Sequence, residues 1–141
     1  MTAPASDGIT AALARPPATP GVLALYLFGS AAEDRMHRQS DVDVGVLLDR
    51  DVHPTARDRF EARLQLIAEL TPRLSGRQVD VVVLNEAPPG LARRIVTTRP
   101  ALFCADPAAE HAFRRDVQLR AADLEPFLRR MRRVKLEALE R

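Results

Sequence analysis

Seven consecutive apolar residues, Val22 to Phe28, do most to limit how this chain can fold. A continuous apolar run of this length is typical of a β-strand that is covered on both faces. It follows the helix-breaking stretch Pro16–Gly21 and stops at Gly29 and Ser30. The run therefore predicts a buried strand in an α/β domain, with other elements packed on both of its sides.

A second strand is predicted over residues 41–48, where polar and apolar residues alternate. Side chains two apart on a strand project to the same face, so Asp41, Asp43 and Gly45 share one face and the aliphatic residues share the other. The pattern predicts a strand with one polar face.

The branched residues of Gln78–Leu84 predict a third strand, with Asp80 on the face opposite its odd-numbered valines. An acidic residue is unusual in so apolar a strand unless it has a specific role. Leu102–Cys104 is expected to form an edge strand, and Cys104, in an apolar setting, is expected to be a small buried hydrophobe.

Helical periodicity is clearest between Thr55 and Leu74, with Thr55 placed to cap the start and Gly76 to end the helix. The apolar residues at helical spacing in this segment are Phe60, Leu64, Ile67 and Leu74. Shorter helices are expected over 9–15 and from Pro88 to about Thr97.

A long helix is predicted from the cap at Asp106 to the C-terminus, with Pro126 kinking or breaking it. Its apolar stripe consists of Phe113, Val117, Ala121, Leu124, Leu128 and Met131. Two interpretations of the stripe stay open: it packs on the core of its own domain, or its distal part seeks a partner. The basic cluster Arg129–Arg133 fits either a solvated face or an acidic partner.

Five residues can build one phosphate and metal site: Gly29, Ser30, Asp41, Asp43 and Asp80. Carboxylates suit Mg²⁺, a hard cation, and acids gathered without a cation would repel one another. Gly29 lets the backbone approach a phosphate, and Ser30 can cap a helix whose N-terminal amides face the anion. Taken singly, neither motif indicates a function. Gly-Ser is common in turns, and Asp-x-Asp is common on the solvent-exposed face of a strand. Only their combination indicates a site for a metal-bound triphosphate and an in-line displacement at its α-phosphorus.

Length, charge and cysteine content limit which classes of protein the chain can belong to. The length of 141 residues fits one domain, and 21 basic against 19 acidic residues give no argument for nucleic acid, so no direct nucleic-acid binding is expected. A single cysteine, no leader-like start and no apolar run long enough to span a bilayer predict a cytoplasmic protein without a membrane association. His53 and His111 lack metal-ligand spacing, so zinc is not expected.

The segments Leu27–Ser30 and Ser40–Val44 resemble the signature of the DNA polymerase beta-type nucleotidyltransferase superfamily. Together with Val79–Pro88, they are most similar to the minimal nucleotidyltransferase (MNT) antitoxins that are paired with HEPN-domain toxins. The similarity extends over about residues 22–128.

The resemblance implies a small mixed β-sheet packed on helices, with ATP and Mg²⁺ as cofactors. It further implies a type VII antitoxin that forms a hetero-oligomer with a HEPN ribonuclease and transfers AMP to one of its tyrosines. The expected organisation is a tail and short helix at 1–20, a nucleotidyltransferase core at 21–105 and a C-terminal helical segment of the same domain at 106–141.

One position departs from the family pattern: Asp34 stands where relatives commonly have glycine. The added negative charge near the triphosphate bears on catalytic efficiency. Two rival functions therefore stay open, a non-catalytic antitoxin that acts by binding alone, and a transferase for small molecules such as aminoglycosides. Enzymes of the second kind generally carry an additional helical substrate domain, whereas only the C-terminal helical segment is expected after the sheet here.

Overall fold

The computed structural model describes residues 5–29 and 41–140. In these residues four helices surround four strands. The strands are β1 (Val22–Phe28), β2 (Val42–Leu48), β3 (Val79–Val83) and β4 (Phe103–Cys104). The helices are α1 (Ala5–Ala14), α2 (Ala56–Arg73), α3 (Pro89–Thr98) and α4 (Pro107–Leu139).

The strands form one mixed sheet in the order β3-β2-β1-β4. β1 is antiparallel to both of its neighbours, and β2 and β3 are parallel. Consequently β1 ends at the same edge of the sheet at which β2 and β3 begin. This mixed sheet with helices confirms the expected fold class.

Two apolar clusters cover the two faces of the sheet. On one face, α1 and α2 pack against the alternate residues Val42, Val44 and Val46 of β2. On the other face, α3 and the first part of α4 pack around Tyr26 and Leu47. The continuous apolar run of β1 is explained by this arrangement, because its side chains enter both clusters.

β2 does not have the single polar face that its alternation predicts. Gly45 and Leu47 are buried beneath α3, and a Cβ on Gly45 would lie 3.0 Å from Ile95 Cγ2. The glycine thus permits α3 to pack closely on the sheet. Polar residues on this face are restricted to the start of the strand, where Asp41 and Asp43 lie.

The ends of α2 follow the predicted signals, but the buried face of the helix differs. Thr55 forms a capping box with Asp58, and Gly76 has a φ of 77°. The residues buried on the sheet are Ala62, Leu66 and Leu70. Phe60 and Leu64, expected on the packed face, are 53% and 49% exposed. The helix carries two apolar stripes, and periodicity alone does not say which of them meets the sheet.

α4 is one helix of 33 residues, and Pro126 lies inside it without ending it. Asp106 caps its start by accepting a hydrogen bond from the Ala109 amide at 3.1 Å, as expected. Val117 and Ala121 are buried, whereas the large apolar side chains that follow are exposed. The predicted stripe is therefore divided into a packed half and an uncovered half.

The prediction that Cys104 is buried is wrong: it is exposed, because its two-residue strand lies at the edge of the sheet.

Within the described ranges, no helix combines the length and hydropathy needed to cross a membrane.

Candidate active site

The candidate site lies at the sheet edge where β1 ends and β2 and β3 begin. Asp43 pairs with Phe28 of β1 on one side and with Asp80 of β3 on the other. Asp41 directly precedes β2, and Gly29 directly follows β1. The fold therefore brings Gly29 and the three predicted acids to one place.

Asp43 is the least exposed of the three acids. Burial raises the pKa of its carboxyl group, and the nearby charges of Asp80 and Asp41 raise this pKa further. The ionised form of Asp43 is thus disfavoured for want of a compensating positive charge. A bound cation would supply that charge.

Gly29 is required by its position against Asp43. Its φ of 74° lies in the left-handed region that side chains disfavour. A Cβ added here would also overlap the carboxylate of Asp43. The glycine leaves room for the acid to lie across the end of β1.

Arg63 of α2 is part of the site, although no pattern in the sequence predicts it. Its Nη2 lies 3.7 Å from Oδ1 of Asp80, and its Nε donates a hydrogen bond to the Val81 carbonyl at 2.7 Å. Because β3 is an outer strand, Arg63 also covers part of the free strand edge. The side chain of Asp80 remains 58% exposed.

A family model described as "Polymerase beta, Nucleotidyltransferase" matches residues 17–108. The chain belongs to this nucleotidyltransferase family. The match extends from before β1 to the first turn of α4, so it contains the whole sheet and the candidate site. No curated protein matches the chain at a significant level.

Several solved structures have the same fold as this nucleotidyltransferase. One is a chain of a toxin-antitoxin complex with AMP-PNP, at a TM-score of 0.57 and 23% identity, covering 96% of this chain and 98% of the other. A chain of the MntA-HepT toxin-antitoxin complex reaches 0.55 at 21% identity, with 97% of each chain covered.

A third similar chain comes from the complex of tri-AMPylated Shewanella oneidensis HEPN toxin with MNT antitoxin. Its TM-score is 0.54 at 21% identity, again with 97% of each chain covered. These likenesses extend over nearly the full length of the nucleotidyltransferase, including the long helix α4.

The carboxylate oxygens of the site are ligands that suit Mg²⁺, although the described residues are not arranged as a complete metal site. No group of three or more ligating His, Cys, Asp or Glu side chains is assembled within 5–29 and 41–140. Burial, and then the charges of Asp80 and Asp41, raise the pKa of Asp43, so the ionised site lacks a compensating cation. To hold one ion, the three side chains would have to converge on it.

Part of the predicted site lies outside the described residues. Ser30, the expected hydroxyl donor and helix cap, falls in the range 30–40, as does Asp34. The roles predicted for Ser30 and the effect expected of Asp34 therefore stay predictions.

A second polar group holds α4 on the face of the sheet that carries the acids. Tyr26, the only tyrosine in the chain, is buried, and its hydroxyl donates to Glu110, which also accepts from Arg114 Nη2 at 2.7 Å. Burial alone would raise the pKa of Glu110, but these hydrogen bonds hold it below its usual value. A lone buried tyrosine signals that a partner is needed, but not which one.

Proposed function

We propose that this nucleotidyltransferase transfers AMP from ATP to a tyrosine of a HEPN-domain ribonuclease toxin and acts as its antitoxin. The observation that carries the proposal is the pairing of Asp43 with Asp80 across parallel strands, beside a glycine that makes room for Asp43. This is where a member of the family would bind a metal-bound nucleotide.

Each residue has a chemical role in the proposal. Asp41, Asp43 and Asp80 would hold Mg²⁺, and Gly29 and Ser30 would lie against the triphosphate. Bound Mg²⁺ would offset the charge of the phosphates and favour attack at the α-phosphorus.

The reaction is an in-line displacement at that phosphorus. The acceptor oxygen forms a bond to the α-phosphorus, and the bond from the α-phosphorus to the bridging oxygen of pyrophosphate breaks. Asp80 lies on β3 and has an exposed side chain. It would accept the proton of the attacking hydroxyl.

The protein substrate is inferred from the similar structures. All three are toxin-antitoxin complexes, and in one of them the HEPN toxin is tri-AMPylated. Another contains AMP-PNP, an ATP analogue. A shared fold over nearly the whole chain supports the same kind of partner for this protein.

Incubation with α-labelled ATP, Mg²⁺ and a purified HEPN ribonuclease tests the proposal, beginning with one encoded beside this protein. The expected result is label on a tyrosine of the ribonuclease and loss of RNA cleavage. EDTA should abolish the labelling and weaken ATP binding measured by calorimetry, because the phosphates would then face three uncompensated carboxylates.

The same experiment separates the rival functions. A tight complex that silences the ribonuclease without label would indicate an antitoxin that acts by binding alone. Transfer to an aminoglycoside but not to the ribonuclease would indicate a small-molecule enzyme. Either outcome would overturn the proposed reaction.

A further inference from the structure

The distal half of α4, from Leu124 to the helix end at Leu139, is uncovered and strongly amphipathic. Its exposed large apolar residues are Leu124, Phe127, Leu128, Met131, Val134, Leu136 and Leu139. At 100° per residue, all of them except Leu136 lie on one side of the helix, and most arginines and both glutamates of the segment lie on the other. We call the side formed by Leu124, Phe127, Leu128, Met131 and Val134 the distal stripe.

The distal stripe is continuous with a groove on the folded domain. The groove has a volume of about 210 Å³ and lies between the start of α3 and the middle of α4. It is lined by Gly90, Arg93, Ala121, Leu124, Glu125, Leu128 and Arg132. An occupant of the stripe would therefore also contact the domain, which would fix its orientation relative to the sheet.

The path of α4 shows which side of the sheet the distal stripe reaches. Near its start, Glu110 contacts Tyr26 of β1. Val117 lies beside Leu84, directly after β3, and Ala121 lies beside Gly90 of α3. The helix thus crosses the sheet from β1 towards β3, passes Leu84 at the end of β3 that is opposite Asp80, and continues beyond this outer strand.

Charge indicates what kind of molecule covers the stripe. Five basic residues lie between positions 129 and 135, in the middle of the distal segment. Two copies paired along this segment, parallel in register or antiparallel about its centre, would place these cations against one another. A second copy is therefore disfavoured, and an apolar surface bordered by carboxylates is favoured.

The polar side of the segment argues against an anionic lipid surface. It carries Glu125 and Glu137 among the arginines, Glu140 caps its end, and Glu125 forms an ion pair with Arg129 at 2.7 Å. Interfacial membrane helices have a polar face dominated by lysine and arginine. An amphipathic helix can instead lay its apolar side in a groove of another protein.

We infer that the distal stripe docks the protein acceptor of AMP, through an apolar groove on the acceptor that is bordered by acidic residues. The inference rests on the proposed function for the identity of the acceptor. An acceptor docked there would lie beyond the outer strand β3 and would have to extend along this strand to reach Asp80, which is exposed near its start.

The test uses the full chain with Leu128→Ser and Met131→Ser combined. The matched control is Leu119→Ser, since Leu119 is also an exposed leucine of α4, 62% accessible, but lies on the opposite side of the helix. Binding of the HEPN ribonuclease is measured by calorimetry, and AMP transfer is measured as KM and kcat for the ribonuclease. The double variant should raise Kd and KM at least about tenfold, with kcat and Mg-ATP binding unchanged.

Arg132→Glu provides a second test if the double variant unfolds. It should weaken acceptor binding in the same way, and this weakening should grow smaller as salt is added. If Kd and KM match those of Leu119→Ser in every stripe variant that folds, the inference is wrong. It is also wrong if the wild-type chain is a dimer that the double variant converts to monomers, because a second copy would then cover the stripe.

The two proposals fail in distinguishable ways. Transfer at wild-type KM by the stripe variants would refute docking and leave the AMP-transfer reaction intact. Tight binding without any transfer by the wild-type chain would refute the reaction, and the Kd values would still decide the docking.

Discussion

Asp43 and Asp80 are directly paired across the parallel strands β2 and β3, and the charge of Asp80 adds to the effect of burial in raising the pKa of Asp43. In the metal-free protein this repulsion, with that of Asp41, adds to the cost of burying Asp43. A site of this kind reduces stability until a cation binds to it. Activity and stability are therefore expected to change in opposite directions when a site acid is neutralised.

Asp43→Asn should lower AMP transfer at least about a hundredfold, because it removes a proposed metal ligand. It should also raise the melting temperature of the metal-free protein, because the uncompensated charge is removed. Asp51→Asn, in a turn at the other end of the sheet, is the control and should change neither property. Near-wild-type transfer by a folded Asp43→Asn protein would refute the catalytic assignment.

The stabilising effect of Mg²⁺ should depend on pH. The folded-state pKa of Asp43 lies above the unfolded value of 3.8. Its contribution is therefore most favourable below the unfolded pKa and is lost as the pH rises through the folded pKa. Mg²⁺ should restore that loss, so the melting-temperature gain from Mg²⁺ should be larger near pH 7 than near pH 4.

The comparison with Asp43→Asn isolates this effect from those of other titrating groups. Thermal denaturation of both proteins, with Mg²⁺ or EDTA across that range, should show a pH-dependent gain in the wild type and a much smaller one in the variant. An equal gain in both proteins would mean that Mg²⁺ stabilises the fold at another place.

Much of the sheet is predictable from the sequence, because local patterns determine it. The apolar run predicts β1 residue for residue, and alternation predicts β2 to within one residue. The side-by-side placement of Asp43 and Asp80 is not predictable in this way, since it depends on the register of two strands that are far apart in sequence.

Contacts between elements are the other part that sequence patterns do not give. Arg63 reaches Asp80 only because α2 packs along β3, and Tyr26 meets Glu110 only because α4 crosses β1. Likewise, Phe60 is exposed because the other stripe of α2, formed by Ala62, Leu66 and Leu70, meets the sheet. Each of these depends on three-dimensional packing rather than on local periodicity.

Gly29→Ala should damage both folding and activity. The left-handed backbone costs about 1 kcal/mol with a side chain, and the new methyl group must also displace the Asp43 carboxylate. Gly76→Ala is the matched control, because its φ of 77° is similar and a Cβ there meets no atom within 4 Å. Both variants should lose about 1 kcal/mol of unfolding free energy from strain, and only Gly29→Ala should also lose AMP transfer. Equal transfer by the two would show that Asp43 need not lie against Gly29.

Glu69 should govern part of the acid sensitivity of the fold. Its carboxylate accepts hydrogen bonds from the Ala18 amide at 2.7 Å and from the amide and hydroxyl of Thr19 at 2.9 and 2.8 Å, and it pairs with Arg73 at 2.7 Å. These contacts attach the proline-rich stretch before β1 to α2. Burial alone would raise the pKa of Glu69, but the hydrogen bonds and the Arg73 charge hold it below its usual value.

A lowered folded-state pKa means that the stabilisation is present above the unfolded pKa of about 4.5 and is lost as the pH falls through the folded pKa. Glu69→Gln should therefore cost about 1–3 kcal/mol of unfolding free energy at pH 7, the range for hydrogen bonds to a charged group, and progressively less in acid. Glu61→Gln is the control on the same helix. Its side chain is 64% exposed and meets Arg57 at 3.4 Å, so its loss should cost well under 1 kcal/mol. Urea denaturation at several pH values measures both variants. A Glu69→Gln deficit that stayed constant down to pH 3 would show that shape rather than charge at this position holds the segment to α2.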